Sequence, residues 1–189
     1  WANPSIPITG VISSATALVG AQAGDSIGDA GIKLLTNGNF VVGSRRWANG
    51  SNPYAGAVTW GSASAGVTGI VSSANSIVGT RQSDYVGSIY PYSSSFDGID
   101  ELSDGSFIVR SPQWNQGRGA ITWASGTSPT AAVVSSQNSL VGIAASSDRV
   151  GEQFYNLGNG NFVIQSPSWN NYAGAFTWVD DLLGVLGTI

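Results

Sequence analysis

The sequence predicts an all-β chain: three tandem four-stranded antiparallel meander units, shaped like β-propeller blades, with an extra N-terminal strand. Three observations carry this reading. One set of motifs recurs three times along the 189 residues. Each copy contains an Asn-Gly or Asp-Gly hairpin signal, and no window has helical period with caps.

The recurrence begins with Asn37-Gly38-Asn39-Phe40-Val41-Val42, which returns as Asp104-Gly105-Ser106-Phe107-Ile108-Val109 and Asn159-Gly160-Asn161-Phe162-Val163-Ile164. Seven residues after each Phe stands Trp47, Trp114 or Trp169. Gly56-Ala57-Val58-Thr59-Trp60 follows, echoed by Gly119 to Trp123 and Gly174 to Trp178. Asn75-Ser76-Ile77-Val78-Gly79 matches Asn138 to Gly142 and Thr16 to Gly20, and each unit closes on Asp25, Asp84 or Asp148 in an Asp-x-[Ile/Val]-Gly turn. Unequal spacings place extra loop at Gly50-Ser51-Asn52-Pro53 and at Ser88 to Ser95.

Gly31 to Leu35 and Asn39 to Ser44 flank Thr36-Asn37-Gly38 and read as one hairpin. Ala57 to Trp60 and Val67 to Val71 flank a Gly/Ser/Ala turn and read as a second. Continuous apolar runs such as Phe40-Val41-Val42 imply sheets covered on both faces. A β-solenoid is the alternative, although its coils are usually shorter and lack two tight hairpins per unit. The expected organisation is a single array: an orphan fourth strand at 1–14, then units at 15–73, 74–136 and 137–189. A chain opening at Trp1 on such a strand reads as a processed product or as a segment of something longer. Three units are too few to close a propeller, so closure is expected from another copy or from flanking repeats.

Composition narrows the function classes. Charged residues make up 10% of the chain and the net charge is −4, so no basic field exists to hold nucleic acid. Apolar runs are too short for a membrane-spanning helix. Without His, Cys or Met, the chain lacks thiol and imidazole nucleophiles and disulfides, and none of the eleven acids stands out beyond its repeat role. The expectation is a non-enzyme without a resident cofactor.

The Leu-x-Asn-Gly-Asn-Phe-Val-Val string, Ser-Pro-x-Trp-Asn at Ser111 to Asn115 and Ser166 to Asn170, and the Gly-Ala-Val-Thr-Trp block resemble a tandem repeat of unknown function. That repeat occurs in large secreted bacterial proteins, filamentous-haemagglutinin-like adhesins among them. The resemblance implies an extracellular, surface-associated array and carries over no site residues. Unit one departs from it, with Arg45-Arg46 before Trp47 and no proline.

Three candidate sites follow. Trp47, Trp114 with Asn115, and Trp169 with Asn170 could stack a sugar ring and bond its hydroxyls, against the plainer reading that each indole plugs its own unit. Asp97, Asp100, Glu101 and Asp104 form the acidic cluster that could hold calcium, although their spacing matches no EF-hand loop. The repeated Asp25, Asp84 and Asp148 read as turn-fixing residues. Ile8, Val11, Val185 and Ile189 mark terminal strands whose edges are available for assembly. The leading expectation is a non-enzymatic, secreted structural or adhesive repeat protein that assembles through strand edges, as a fibre or surface-layer subunit or part of a larger adhesin. A glycan-binding propeller is the alternative, and a passive spacer a third reading.

Overall fold

The computed structural model describes residues 10–89, 98–143, 148–180 and 187–188. The described chain is all-β, arranged as several small sheets without a closed barrel. The first strands in chain order are β1 (Leu18–Val19), β2 (Gly31–Leu34), β3 (Phe40–Ser44), β4 (Ala57–Gly61), β5 (Gly69–Ile70) and β6 (Ile77–Val78). The second round comprises β7 (Ile99–Glu101), β8 (Phe107–Ser111), β9 (Ala120–Ala124), β10 (Ala132–Val133) and β11 (Ser139–Val141). The third comprises β12 (Gln153–Asn156), β13 (Phe162–Ser166), β14 (Ala175–Val179) and β15 (Gly187–Thr188). Short turns at Trp114–Gly117 and Trp169–Tyr172 are helical in name only, because Asn115, Gln116, Asn170 and Asn171 inside them have φ between 49° and 64°.

The Asn-Gly hairpin forms where the sequence places it. Strand β2 pairs antiparallel with β3, Leu34 opposite Phe40, and the Asn37 carboxamide oxygen accepts the Asn39 N–H at 2.9 Å across the turn. Strand β3 then pairs with β4.

The expected second hairpin, Ala57 to Trp60 with Val67 to Val71, does not form. After a tight turn closed between Ser62 and Gly66, the chain leaves its own sheet, and β5 pairs in parallel with β1, Gly69 opposite Leu18. It then returns, and β6 takes the place beside β4, with Ala57 opposite Val78 and Val58 opposite Ile77. Burial explains the exchange. Ile77 and Val78 are wholly apolar and fully buried at the inner position, whereas Gly69-Ile70 buries less and suits an outer edge. Counting each round of strands as one unit, so that β6 and β11 close the first and second rounds and do not open the stretches 74–136 and 137–189, the second unit repeats the route: β10 pairs in parallel with β6 of the first sheet, and β11 returns beside β9. Strand β15 crosses in its turn to β11. A sequential four-stranded meander is therefore replaced by a stitched arrangement, in which each five-stranded sheet has its last strand donated by the following unit: β10-β6-β4-β3-β2 and β15-β11-β9-β8-β7.

Both faces of these sheets are covered, as the continuous apolar runs imply. Val41, Val58 and Ile77 of the first sheet meet Ile99, Phe107 and Val109 of the second. On the far face of the second sheet, Ile108, Ile121 and Leu140 meet Phe162, Ile164 and Val179 of the third. Buried hydroxyl pairs, Thr59 with Ser76 and Thr122 with Ser139, both at 2.7 Å, join the returning strand to its neighbour.

The repeated aspartates hold the junctions between units. The Asp84 carboxylate accepts the N–H groups of Thr80 and Arg81 in its own turn through Oδ2, and that of Asn115 in the next unit's Trp loop through Oδ1, all at 2.9 Å. Asp25 does the same for Ala21, Gln22 and Ala48, and Asp148 reaches the Asn170 N–H at 3.0 Å. All three are buried. The clip demands close backbone approach. Gly56 and Gly119 sit at φ of 77° and 79°, and a Cβ at either would strike the backbone of Val86 or Val150.

Burial pushes the Asp84 carboxyl above its ordinary 3.8, against the pull of the Arg81, Asn115 and Thr80 N–H groups. The folded state thus holds this proton more tightly than the unfolded chain. The resulting stability is fully present below about pH 3.8 and is lost as pH rises through the raised pKa. In denaturant titrations, Asp84→Ala is expected to cost about 1–3 kcal/mol by stranding buried N–H donors. Asp84→Asn keeps an acceptor, and is expected to be milder and to abolish that acid-side gain.

Candidate assembly edge

Position in the array decides how much of each repeated side chain is covered. Val58, Ile121 and Phe176 occupy one column of the repeat, on β4, β9 and β14 respectively. The first two are 1% and 0% exposed, whereas Phe176 is 71% exposed. The difference lies in what covers that face: Val58 packs against the second sheet and Ile121 against the third, while among the described residues no further sheet lies over Phe176. That end of the array differs at its edge as well: β4 and β9 each have a returning strand beside them, while among the described residues the third sheet is β12-β13-β14 alone.

Strand pairing gathers Tyr155, Val163 and Trp178 on one face of this sheet, with Gln165 and Phe176 in the adjoining row. Tyr155, Phe176 and Trp178 are exposed, and a shallow hollow of ≈ 360 Å³ lies among Tyr155, Leu157, Val163, Gln165 and Phe176. The strand itself, Ala-Phe-Thr-Trp-Val, contains no charge and no proline, the usual devices that keep a bare edge from pairing. The array's other side presents the complement. Ile32 and Leu34 project from β2 at 63% and 73% exposure, and β1–β5 stand as a two-stranded sheet.

The loop tryptophans are covered to different degrees. Trp47 and Trp114 are buried, Trp47 against Ala55, Ala57 and Val71, and Trp114 in the core between the first two sheets. Trp169 is half-buried, and the indole N–H groups of Trp47 and Trp169 are both sealed from solvent. Asn115 and Asn170 offer their backbone N–H to the aspartate clips, and each of the three loops lies in its own unit. In the other tryptophan column, the Trp60 indole N–H donates to the Gly126 carbonyl of the next unit at 3.0 Å, alongside Asn37 and Asn39.

Of the acidic cluster, Asp97 lies outside the described residues. The remaining carboxylates serve separate structural ends. Asp100 pairs with the buried Arg110 at 2.6 Å, Glu101 accepts the Thr36 N–H and hydroxyl at 2.7 Å, and Asp104 closes its own hairpin turn onto Ser106. Among the described residues, no group of three acids is gathered that could hold a metal ion.

Ile8, Val185 and Ile189 also lie outside the described residues, as does Trp1. Val11 is described, stands outside any strand and is highly exposed. Among the described residues β14 lacks the returning strand that β4 and β9 have, and β1 has β5 alone beside it, so Leu18, Val19, Ala175 and Phe176 join the candidate edge residues. Reading Phe176 against Val58 and Ile121 as one column would have found the last of them.

Unit one's departure has a local consequence. Arg45 and Arg46 both reach Asp29, at 3.4 and 3.6 Å, and the Tyr54 and Tyr85 rings stand 5.8 Å apart beside them. Its extra loop residues line a cleft together with Asp25, Arg46 and Tyr54.

Among the described residues, no helix is long and apolar enough to cross a membrane. No curated protein matches the chain. A family model does: DUF5650, described as a repeat of unknown function, matches residues 1–29, 34–88, 101–152 and 156–189. The segments 34–88 and 101–152 each span a Trp loop, a strand that crosses back and the strand that returns. With four matched segments covering most of its length, the chain belongs to this family of repeats.

Proposed function

We propose that this chain is a non-enzymatic structural or adhesive repeat module that assembles with like modules through its bare sheet edges and faces. The observation that carries the reading is Phe176, 71% exposed in a column where Val58 and Ile121 are buried. An uncharged edge beside an exposed apolar face is an association site. In this reading the sheets stack as blades of a longer propeller-like or filamentous array, the module works outside the cell, and its role is mechanical. The low charge content of 10% supports it, because stacked modules repel each other little.

Multi-angle light scattering tests the proposal. The chain is expected to show mass above 19.3 kDa that grows with concentration, and Phe176→Asp to restore the single-chain mass without loss of fold. Single-chain mass for the unmodified protein at every concentration would contradict the reading. A paired stability measurement checks the contrast within the column. Ile121→Ala is expected to cost about 2–5 kcal/mol and Phe176→Ala about 0.5 kcal/mol or less.

A further inference from the structure

Resting on that assembly reading, we propose that the occupant of the β14 edge is the β1–β5 strand pair of a second copy of this chain. It docks in the register that the chain already uses twice within itself. Strand β6 meets β4 with Val78 opposite Ala57 and Ile77 opposite Val58; β11 meets β9 with Val141 opposite Ala120 and Leu140 opposite Ile121. Carried one repeat further, the same register sets Val19 of the incoming copy opposite Ala175, and Leu18 opposite Phe176. The incoming β1 already carries β5 in parallel on its other side, as β6 carries β10. Docking therefore completes a third five-stranded sheet, β5-β1-β14-β13-β12, with the strand order of the other two.

Three further observations fit this occupant. The backbone entering β14 is already shaped for it: Gly174 has φ of 78°, matching the 77° and 79° of Gly56 and Gly119. At those two positions, the glycine carbonyl accepts the N–H of Gly79 or Gly142 from the returning strand, at 3.1 and 3.3 Å. The equivalent donor in the incoming copy is Gly20. Just beyond, Val86 and Val150 donate to Ala55 and Arg118, both at 3.1 Å, and the matching pair would be Ile27 and Ala173. Finally, within the chain each sheet lays one face on the next sheet. The incoming copy brings its exposed Ile32 and Leu34 to the face that holds Phe176 and Trp178.

One position differs. The internal seams each contain a buried hydroxyl pair, Thr59 with Ser76 and Thr122 with Ser139, whereas the docked seam would set Thr177 against Ala17. The seam between copies thus lacks a hydrogen bond that the internal seams have, and is the weaker. Because the two surfaces differ, the contact is heterologous and propagates head to tail into a filament or a ring.

The chain has no native cysteine, so register is read by cross-linking. Val19→Cys and Ala175→Cys chains, mixed and oxidised, are expected to give a disulfide-linked dimer containing one of each. Val19→Cys with Thr177→Cys is expected to give little, since diagonal neighbours about 7–8 Å apart exceed disulfide reach. Ala17→Ser, which restores the hydroxyl pair, is expected to tighten association several-fold. Association lost in Phe176→Asp but without the Val19–Ala175 link would overturn this register and leave the broader assembly reading standing. Single-chain mass throughout, without any cross-link, would overturn both.

Discussion

Strands buried on both faces cannot also leave their backbone edges bare, because unpaired N–H and C=O groups cost more as water is excluded. The chain meets this constraint by exchange. Each unit lends one short strand to the sheet before it, and receives one from the unit after it: Ala132 and Val134 donate to Ser76 and Val78 in the same way that Gly69 and Val71 donate to Ala17 and Val19. No five-stranded sheet belongs to a single repeat. The array is therefore a chain of nearest-neighbour dependencies, in which cohesion resides as much in the seams as in the units.

Scarce charge is concentrated at those seams. Asp25, Asp84 and Asp148 each tie a turn to the following Trp loop. Arg110, buried in β8, holds Asp100 and reaches the carbonyls of Gly151 and Glu152 at the entry to the third sheet. Between the first and second sheets, Glu101 accepts from Thr36, and Asn37, Asn39 and Trp60 converge on the Gly126 carbonyl. Successive junctions are thus fastened by different side chains.

The sequence made some of this legible and hid the rest for physical reasons. The β2–β3 hairpin could be read because Asn37-Gly38 dictates its turn locally, and two-sided burial could be read from runs such as Phe107-Ile108-Val109. The destination of β5 could not. A two-residue strand has no periodicity, and its nearness to β4 in sequence suggests a hairpin that β6 wins on burial. The same limit set the expected terminal strands at Ile8, Val11, Val185 and Ile189, whereas the first described strand is Leu18–Val19, paired with β5. The turn-fixing aspartates were recognisable as a repeated local motif. Their bonds to the following unit's loop were not, since 22 to 31 residues separate the partners. Loop tryptophans look alike in sequence whether they plug a core or face solvent, and only the packing around Trp47 and Trp114 distinguishes the two.

Strand exchange between units is the claim on which everything else stands, and amide hydrogen exchange at Ala132 and Val134 tests it most directly. Both N–H groups donate to carbonyls of the preceding unit at 3.1 Å. The account requires them to be protected to nearly the same degree as amides of the interior strand β8, opening only when the first sheet opens. Exchange at the rate of an open loop, with β8 still protected, would contradict it.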